Sequence, residues 1–299
     1  MIYTVTFNPS LDYVVEVADV KVGKLNRSQG EHVLPGGKGI NVSHMLKNLG
    51  VDSVAMGFLG GFAGEKIERL VRESGCRTDF VYIDGDSRIN VKIKSDNNPE
   101  TEINATGPVL KSSHLLLLME RMKKIGEGDM LVLAGSIPKG IPDTVYADIM
   151  KELQDKNVQV IVDATGSLLL NTLQYHPFLI KPNKEELEEL LGEPVQSEDD
   201  IVAGAKCLKI LGATNVLVSM GGEGAILVDE HGQVHREKAP EGEVINAVGA
   251  GDSMVAGFIA GYNVAKDYEY AICFGVAAGS ASAFSKGFAT MDQVHNLLY

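Results

Sequence analysis

Positive charge is scarce in this chain. Its 299 residues hold 40 Asp and Glu against 27 Lys and Arg, a formal net charge of −13 at pH 7. That balance argues against nucleic acid or an acidic membrane surface as the main partner. An anionic substrate can bind only where a few cations are gathered locally. Cysteine is scarcer still: Cys76, Cys207 and Cys273 are odd in number, scattered and without Cys-x-x-Cys spacing. They read as small buried residues of a reducing compartment, not as disulfides or metal ligands. The seven histidines lack metal spacing too, since Gly232 between His231 and His235 suggests a turn. Tryptophan is absent, and no apolar run approaches the ~20 residues of a membrane span. Met1-Ile2-Tyr3-Thr4-Val5-Thr6-Phe7 reads as a strand followed at once by Asn8-Pro9, which is not a secretion signal. The expectation is a cytoplasmic protein without a membrane anchor.

Glycine is plentiful, at 33 residues, and comes in pairs and triads at apparent turns. Between those turns short apolar runs alternate with helical patterns. Ile2–Phe7, Val54–Phe58, Met130–Ala134, Val158–Val162, Phe178–Ile180, Val216–Val218 and Ala225–Val228 read as strands. Ile40–Leu49, Glu65–Ser74, Thr144–Leu153, Lys184–Leu191 and Ile201–Leu211 read as helices. Apolar strands interleaved with amphipathic helices predict an α/β fold: an open, mainly parallel sheet covered on both faces. Tyr13–Val17, Ser87–Lys94 and Glu102–Asn104 break the rhythm, with alternation that implies one wet face. They predict either edge hairpins or a small β-sheet lid, formed by about 12–34 and 86–106, on one domain spanning 1–299.

Polar residues recur at the strand ends: Asn8 and Asp12, Gly135 and Ser136, Asp163, Lys181 and Asn183, and Ser219. In an open parallel sheet that is where the ligand crevice lies. The most informative segment is Asn246-Ala247-Val248-Gly249-Ala250-Gly251-Asp252-Ser253, which runs into an apolar helical pattern. A Gly-Ala-Gly turn opening a helix leaves backbone N–H groups unpaired at the positive end of the helix dipole, a ready anion site. Asp252 beside it suits proton abstraction from a hydroxyl attacking phosphorus, or else it only caps the helix.

Other motifs are weaker alone. Gly36-Gly37-Lys38-Gly39-Ile40-Asn41 is not a Walker A loop, because Gly39 follows the lysine; it is a tight turn or a ligand contact. Asn183-Lys184-Glu185-Glu186 has the spacing of a capping box, and the same carboxamide and carboxylate could orient a hydrated Mg²⁺. Ser219-Met220-Gly221-Gly222-Glu223-Gly224 is a hairpin-like turn or a nucleotide contact.

Together, Gly-Gly-Lys-Gly-x-Asn, Asn-x-x-Glu and Gly-Ala-Gly-Asp, in this order and spacing, resemble the ribokinase-like phosphofructokinase B family of sugar kinases along essentially the whole chain. Asn8-Pro9-Ser10-Leu11-Asp12-Tyr13, Leu25-Asn26-Arg27-Ser28, Arg88-Ile89-Asn90-Val91-Lys92, Thr101-Glu102-Ile103-Asn104 and Ala134-Gly135-Ser136-Ile137-Pro138 are similar to its bacterial 1-phosphofructokinase branch. An acid usual in ribokinase is replaced here by Ser136, which suits an acceptor already carrying a phosphate.

The resemblance implies transfer of the ATP γ-phosphoryl to the 6-hydroxyl of D-fructose 1-phosphate. Tagatose 6-phosphate or fructose 6-phosphate are the alternative acceptors. Asp252, as a nearly unperturbed carboxylate, would be the base, with the N–H groups of Ala250, Gly251 and Asp252, in the turn that Gly249 opens, around the moving phosphoryl group. Asp12, Gly36, Gly37, Asn41 and Ser136 would surround the sugar, with Arg27, Lys38 and Arg88 on its phosphate. Lys181, Asn183, Ser219, Gly221 and Gly224 would line the nucleotide, and Glu186 would hold Mg²⁺ through water. Family members often carry Asp or Thr where Asn246 and Ala247 stand, which puts a monovalent-cation site in doubt. A homodimer is expected through the lid. The competing classes are a sensor with lost catalysis and a nicotinamide-dependent dehydrogenase. The intact Gly-Ala-Gly-Asp weighs against the first, and the absent glycine fingerprint at the first strand against the second.

Overall fold

The computed structural model describes residues 1–95 and 101–298. Residues 96–100, inside the second expected lid segment, lie outside it. In chain order the elements are β1 (Ile2–Thr6), β2 (Ser10–Val17), β3 (Gly30–Gly36), α1 (Lys38–Asn48), β4 (Ser53–Leu59), α2 (Gly61–Glu73), β5 (Arg77–Tyr82), β6 (Arg88–Ser95) and β7 (Thr101–Ile103). There follow α3 (Ser112–Met122), β8 (Met130–Ala134), α4 (Val145–Leu153), β9 (Gln159–Asp163), α5 (Gly166–Leu170), β10 (Leu179–Ile180), α6 (Lys184–Leu191) and α7 (Glu198–Ile210). The chain closes with β11 (Asn215–Ser219), β12 (Ala225–Val228), β13 (Val234–Glu237), α8 (Ala250–Ala265), α9 (Tyr268–Ala283) and α10 (Met291–His295).

The main sheet runs β13-β12-β11-β10-β9-β8-β1-β4-β5, parallel from β5 to β11, with β12 and β13 antiparallel at one edge. Alternation within each strand divides the core in two. Tyr3, Val5, Leu131 and Leu133 face one layer with Leu118, Tyr146 and Leu187. Ile2, Met130 and Val132 face the other with Val42, Val255 and Phe258. Helices therefore cover both faces, as predicted. The expected elements are present with ends shifted by a few residues. β5, β13, α3, α5, α9 and α10 were not anticipated, and β3 was expected only as part of the lid segment.

Strand β1 is the switch point of the fold, paired with β4 on one side and β8 on the other. The chain leaves β1 in two directions, so a crevice opens at its carboxyl end. Helix α1 docks there because Thr6 Oγ1 accepts the Ile40 N–H at 3.0 Å, and Thr4 and Ser43 hydroxyls meet at 2.8 Å.

A second sheet, β3-β2-β6-β7, stands over that crevice. Its β2 and β6 run parallel in the register Ser10↔Arg88, Asp12↔Asn90 and Val14↔Lys92. One face thus carries Ser10 and Asp12 beside Arg88, Asn90 and Lys92. The opposite face carries Ile89, Val91 and Ile93, with Ile103 across from Val91.

Candidate active site

Two hollows of about 590 and 400 Å³ meet at the carboxyl ends of β1, β8, β9 and β10, sharing Lys38, Glu186, Gly249 and Asp252 as a common wall. The larger is otherwise lined by Asp163, Lys181, Asn183, Ser219, Gly221 and Gly251. The smaller is lined by Asp12, Gly37, Asn41, Arg88, Asn90 and Ser136. Most of the residues singled out from the sequence therefore converge on one place.

At the shared wall, α8 begins at Gly249, whose φ of +81° is a left-handed conformation that favours glycine. Phe288 packs against it so closely that a Cβ on Gly249 would lie 2.8 Å from the ring. The turn aims the first amides of α8 into the larger hollow. The Ala250 N–H does not take part as expected, because it donates to the Ala247 carbonyl at 3.2 Å. Among the described residues Gly251 and Asp252 N–H have no such backbone acceptor, so the anion site narrows to those two.

Asp252 is buried and accepts from Asn41 Nδ2 at 2.7 Å. The expectation of an unperturbed carboxylate is corrected here. Burial, and then the nearby Asp163 anion, push its pKa up to about 7, against the opposing pull of Asn41, Lys38 and Lys181. Asn41, expected on sugar hydroxyls, spends its amide on holding this carboxylate.

Lys38 lines both hollows and is tied to an anion. Its ammonium lies 3.0 Å from Asp163 Oδ1 and Lys181 Nζ lies 3.7 Å from the same oxygen. Burial opposes the charge on Lys38, but Asp163, Asp252 and Glu186 outweigh it and hold the pKa above the usual lysine range. Burial also opposes the charge on Asp163, yet Lys181 and Lys38 hold it below the usual carboxylate range. Asp163 was noted only as a strand-end residue, and its central place was missed. Its second oxygen, Oδ2, is buried without a partner in the structure.

Asn183 and Glu186 form the predicted capping box: the Asn183 N–H donates to Glu186 Oε2 at 2.9 Å and the Glu186 N–H to Asn183 Oδ1 at 2.7 Å. Ser219 and Gly221 line the larger hollow, but Gly224 does not. It presses on β13, where a Cβ would lie 2.0 Å from the Glu237 carbonyl oxygen. An apolar cleft of about 480 Å³ continues past Gly251 between Val244, Ala283 and Phe284, residues that sequence reading missed.

In the smaller hollow Asp12 Oδ1 accepts from Ser10 Oγ at 2.6 Å and Asn90 Nδ2 at 3.0 Å, with Lys92 Nζ 3.5 Å from Oδ2. Gly36 backs this carboxylate and does not line the hollow: a Cβ there would lie 2.7 Å from Asp12 Oδ1. Asn90 and Lys92 were quoted in a motif without a role, although period two along β6 places them beside Arg88. Arg88 donates to the Asn8 carbonyl at 3.1 Å and to the Ala105 carbonyl at 3.3 Å. Arg27 is not brought in. It stands exposed in the β2–β3 connection, away from the residues that line either hollow.

A family model described as pfkB family carbohydrate kinase matches residues 5–294. The chain is 45% identical over 298 residues to the 1-phosphofructokinase of Bacillus subtilis, covering 100% of this chain and 97% of that one. It is 37% identical over 295 residues to the D-tagatose-1-phosphate kinase of Bacillus licheniformis, covering 98% and 96%. Phosphofructokinase-2 from Escherichia coli, solved in complex with potassium, superposes with a TM-score of 0.94 at 28% identity, over 99% of this chain and 97% of that one.

The shift on Asp252 can be read without turnover. In ¹³C-carboxyl-labelled protein its resonance should titrate with a midpoint near 7. Asp163→Asn removes an anion and frees two ammonium groups, changes that both favour the ionised form. The midpoint should therefore move toward the ordinary carboxylate value of about 4. An unmoved midpoint would leave burial as the sole cause.

Proposed function

The chain belongs to the pfkB family of carbohydrate kinases, and we propose that it transfers the γ-phosphoryl group of ATP to the 6-hydroxyl of D-fructose 1-phosphate. The observation that carries this reading is Asp252 on the wall common to both hollows, with a pKa raised to about 7. A base poised near the working pH accepts the hydroxyl proton while remaining ionised in a large share of molecules. ATP fits the larger hollow, with its base in the apolar cleft beside Phe284 and its γ-phosphate before the Gly251 and Asp252 N–H groups. The sugar lies in the smaller hollow, where Asp12 and Asn90 present hydrogen-bonding groups to hydroxyls and Arg88 faces the far, phosphorylated end. Lys38, between the hollows, offsets charge on the migrating group.

Mg²⁺ accompanies ATP in this reading. The donors fit: Asp163 Oδ2 is buried without a partner, and the capping box uses only Oε2 of Glu186. Such an ion keeps several waters and takes one or two carboxylates plus phosphates. When bound it neutralises phosphate charge. Asn246 is neutral and its Oδ1 accepts the Val248 N–H at 3.1 Å, so this position supplies no carboxylate for a monovalent cation. The small sheet acts as a lid that keeps water from the phosphoryl group. A homodimer through that sheet accounts for Ile89 and Ile103 standing 37% and 59% exposed on its outer face.

D-Tagatose 1-phosphate is the second reading, because a relative named for it is 37% identical. ADP release is measured with fructose 1-phosphate, tagatose 1-phosphate, fructose 6-phosphate, tagatose 6-phosphate and ribose. Fructose 1-phosphate should give the highest kcat/KM, and preference for either 6-phosphate overturns the assignment of the far end. Asp252→Asn should lower kcat about a thousandfold with KM little changed. Arg88→Ala should raise KM for the ketose phosphate about tenfold and leave that for ATP within twofold. Sedimentation should give twice the 32.1 kDa chain mass, and Ile103→Asp should return it to one.

A further inference from the structure

A third cavity, about 160 Å³, lies on the far side of Asp12 from the acceptor hollow. Its walls are the inner face of the small sheet and the segment around Lys286 and Phe288. It shares Asp12, Asn41, Lys92 and Val248 with the acceptor hollow, so the two adjoin. Strand alternation builds its cationic wall. Arg88, Asn90, Lys92 and Lys94 are spaced two apart along β6 and face inward, the first three to the acceptor hollow and the last two to this cavity.

In a chain of net charge −13, three lysines and two histidines around one small cavity call for an explanation. Lys92 is accounted for, being buried between Asp12 at 3.5 Å and Glu102 at 3.3 Å. Lys94 and Lys286 are not: among the described residues neither has an ion-pair partner. Glu16, opposite Lys94 in register, has its carboxylate over Gly30 instead, 2.8 Å from where a Cβ would stand. Lys94 is half-buried and Lys286 exposed, and an anion between the two would offset their like charge. The remaining lining offers further polar groups suited to such an anion, the Asn246 amide and the His32 and His44 rings. The volume suits a single tetrahedral phosphate with a little water.

We propose that this cavity is a second phosphate-binding subsite, in which Lys94 from the small sheet and Lys286 from the opposite wall close on a phosphate group, separately from Arg88. The occupant is either the acceptor's own phosphate, which would replace the Arg88 assignment above, or a free phosphate, with Arg88 keeping the acceptor's. The first source rests on the kinase reading above; the anion site itself does not. Inorganic phosphate binding to the full chain is measured by calorimetry, with no turnover involved, so failure here is distinct from failure of the proposed reaction. Lys94→Gln and Lys286→Gln should each weaken one phosphate site about tenfold, and the pair together should abolish it. Arg88→Gln should leave that site in place. A doubly substituted protein that binds phosphate like the parent overturns the proposal. Kinetics then separate the sources. Competition of phosphate with fructose 1-phosphate, and a raised KM in Lys286→Gln, identify the acceptor's phosphate. A phosphate-dependent change in kcat at constant KM identifies a free effector.

Discussion

Asp163, clamped between two lysines, is the contact on which the site depends. Lys38 opens α1, Asp163 ends β9 and Lys181 follows β10, so one carboxylate joins three segments distant in sequence. Charges out of water are costly unless paired, and removing one member of a buried pair typically costs ~3–5 kcal/mol. The cluster thus fixes where α1 and the ends of two strands stand relative to one another. It also acts on the carboxylate proposed as the base. Asp252 borders the cluster, and the Asp163 anion raises its pKa while the two ammonium groups hold it down.

The small sheet solves a different problem with the same means. Its parallel β2–β6 pairing puts Asp12 opposite Asn90, and the Asn90 amide then bonds the carboxylate at 3.0 Å. Ser10, Asn90 and Lys92 together orient Asp12 before any ligand arrives. Such preorganisation matters because ordering a side chain on binding subtracts from affinity. Lys92 extends the arrangement to β7 through Glu102, so the geometry of the acceptor side depends on three strands of the small sheet being in register.

Local chemistry was the part of this site legible in the sequence. The Asn183–Glu186 box spans three residues and follows from side-chain reach alone, and the Gly249 turn follows from what glycine permits. Strand-end polar residues were legible because a parallel sheet gathers its loops at one edge. Pairing across 125 residues, as between Lys38 and Asp163, leaves no local trace, and charge counting therefore could not show that Lys38 is tied to an anion. The place of Arg27 was equally illegible: it stands exposed in the β2–β3 connection, outside the lining of both hollows. Helix α9 escaped notice because it is apolar on nearly every side, buried against α8, and so lacks the polar face that marks an amphipathic helix. The short edge strand β13 and half-exposed β5 offer equally little contrast.

The unfavourable net charge finally explains the form of the anion site. With two lysines committed to Asp163, Lys184 is the lysine left on the lining of the larger hollow, where the proposed reading puts the nucleotide. On the proposed reading the phosphates meet the backbone N–H groups of Gly251 and Asp252, which carry partial positive charge and need no counter-charge of their own. Amides at a helix start are also fixed by the helix, so they lose no side-chain freedom when an anion arrives. A more basic pocket would bind phosphates tightly but would draw Asp252 toward permanent ionisation. Backbone donors bind the same group while leaving the base near neutrality, which is the condition the chemistry requires.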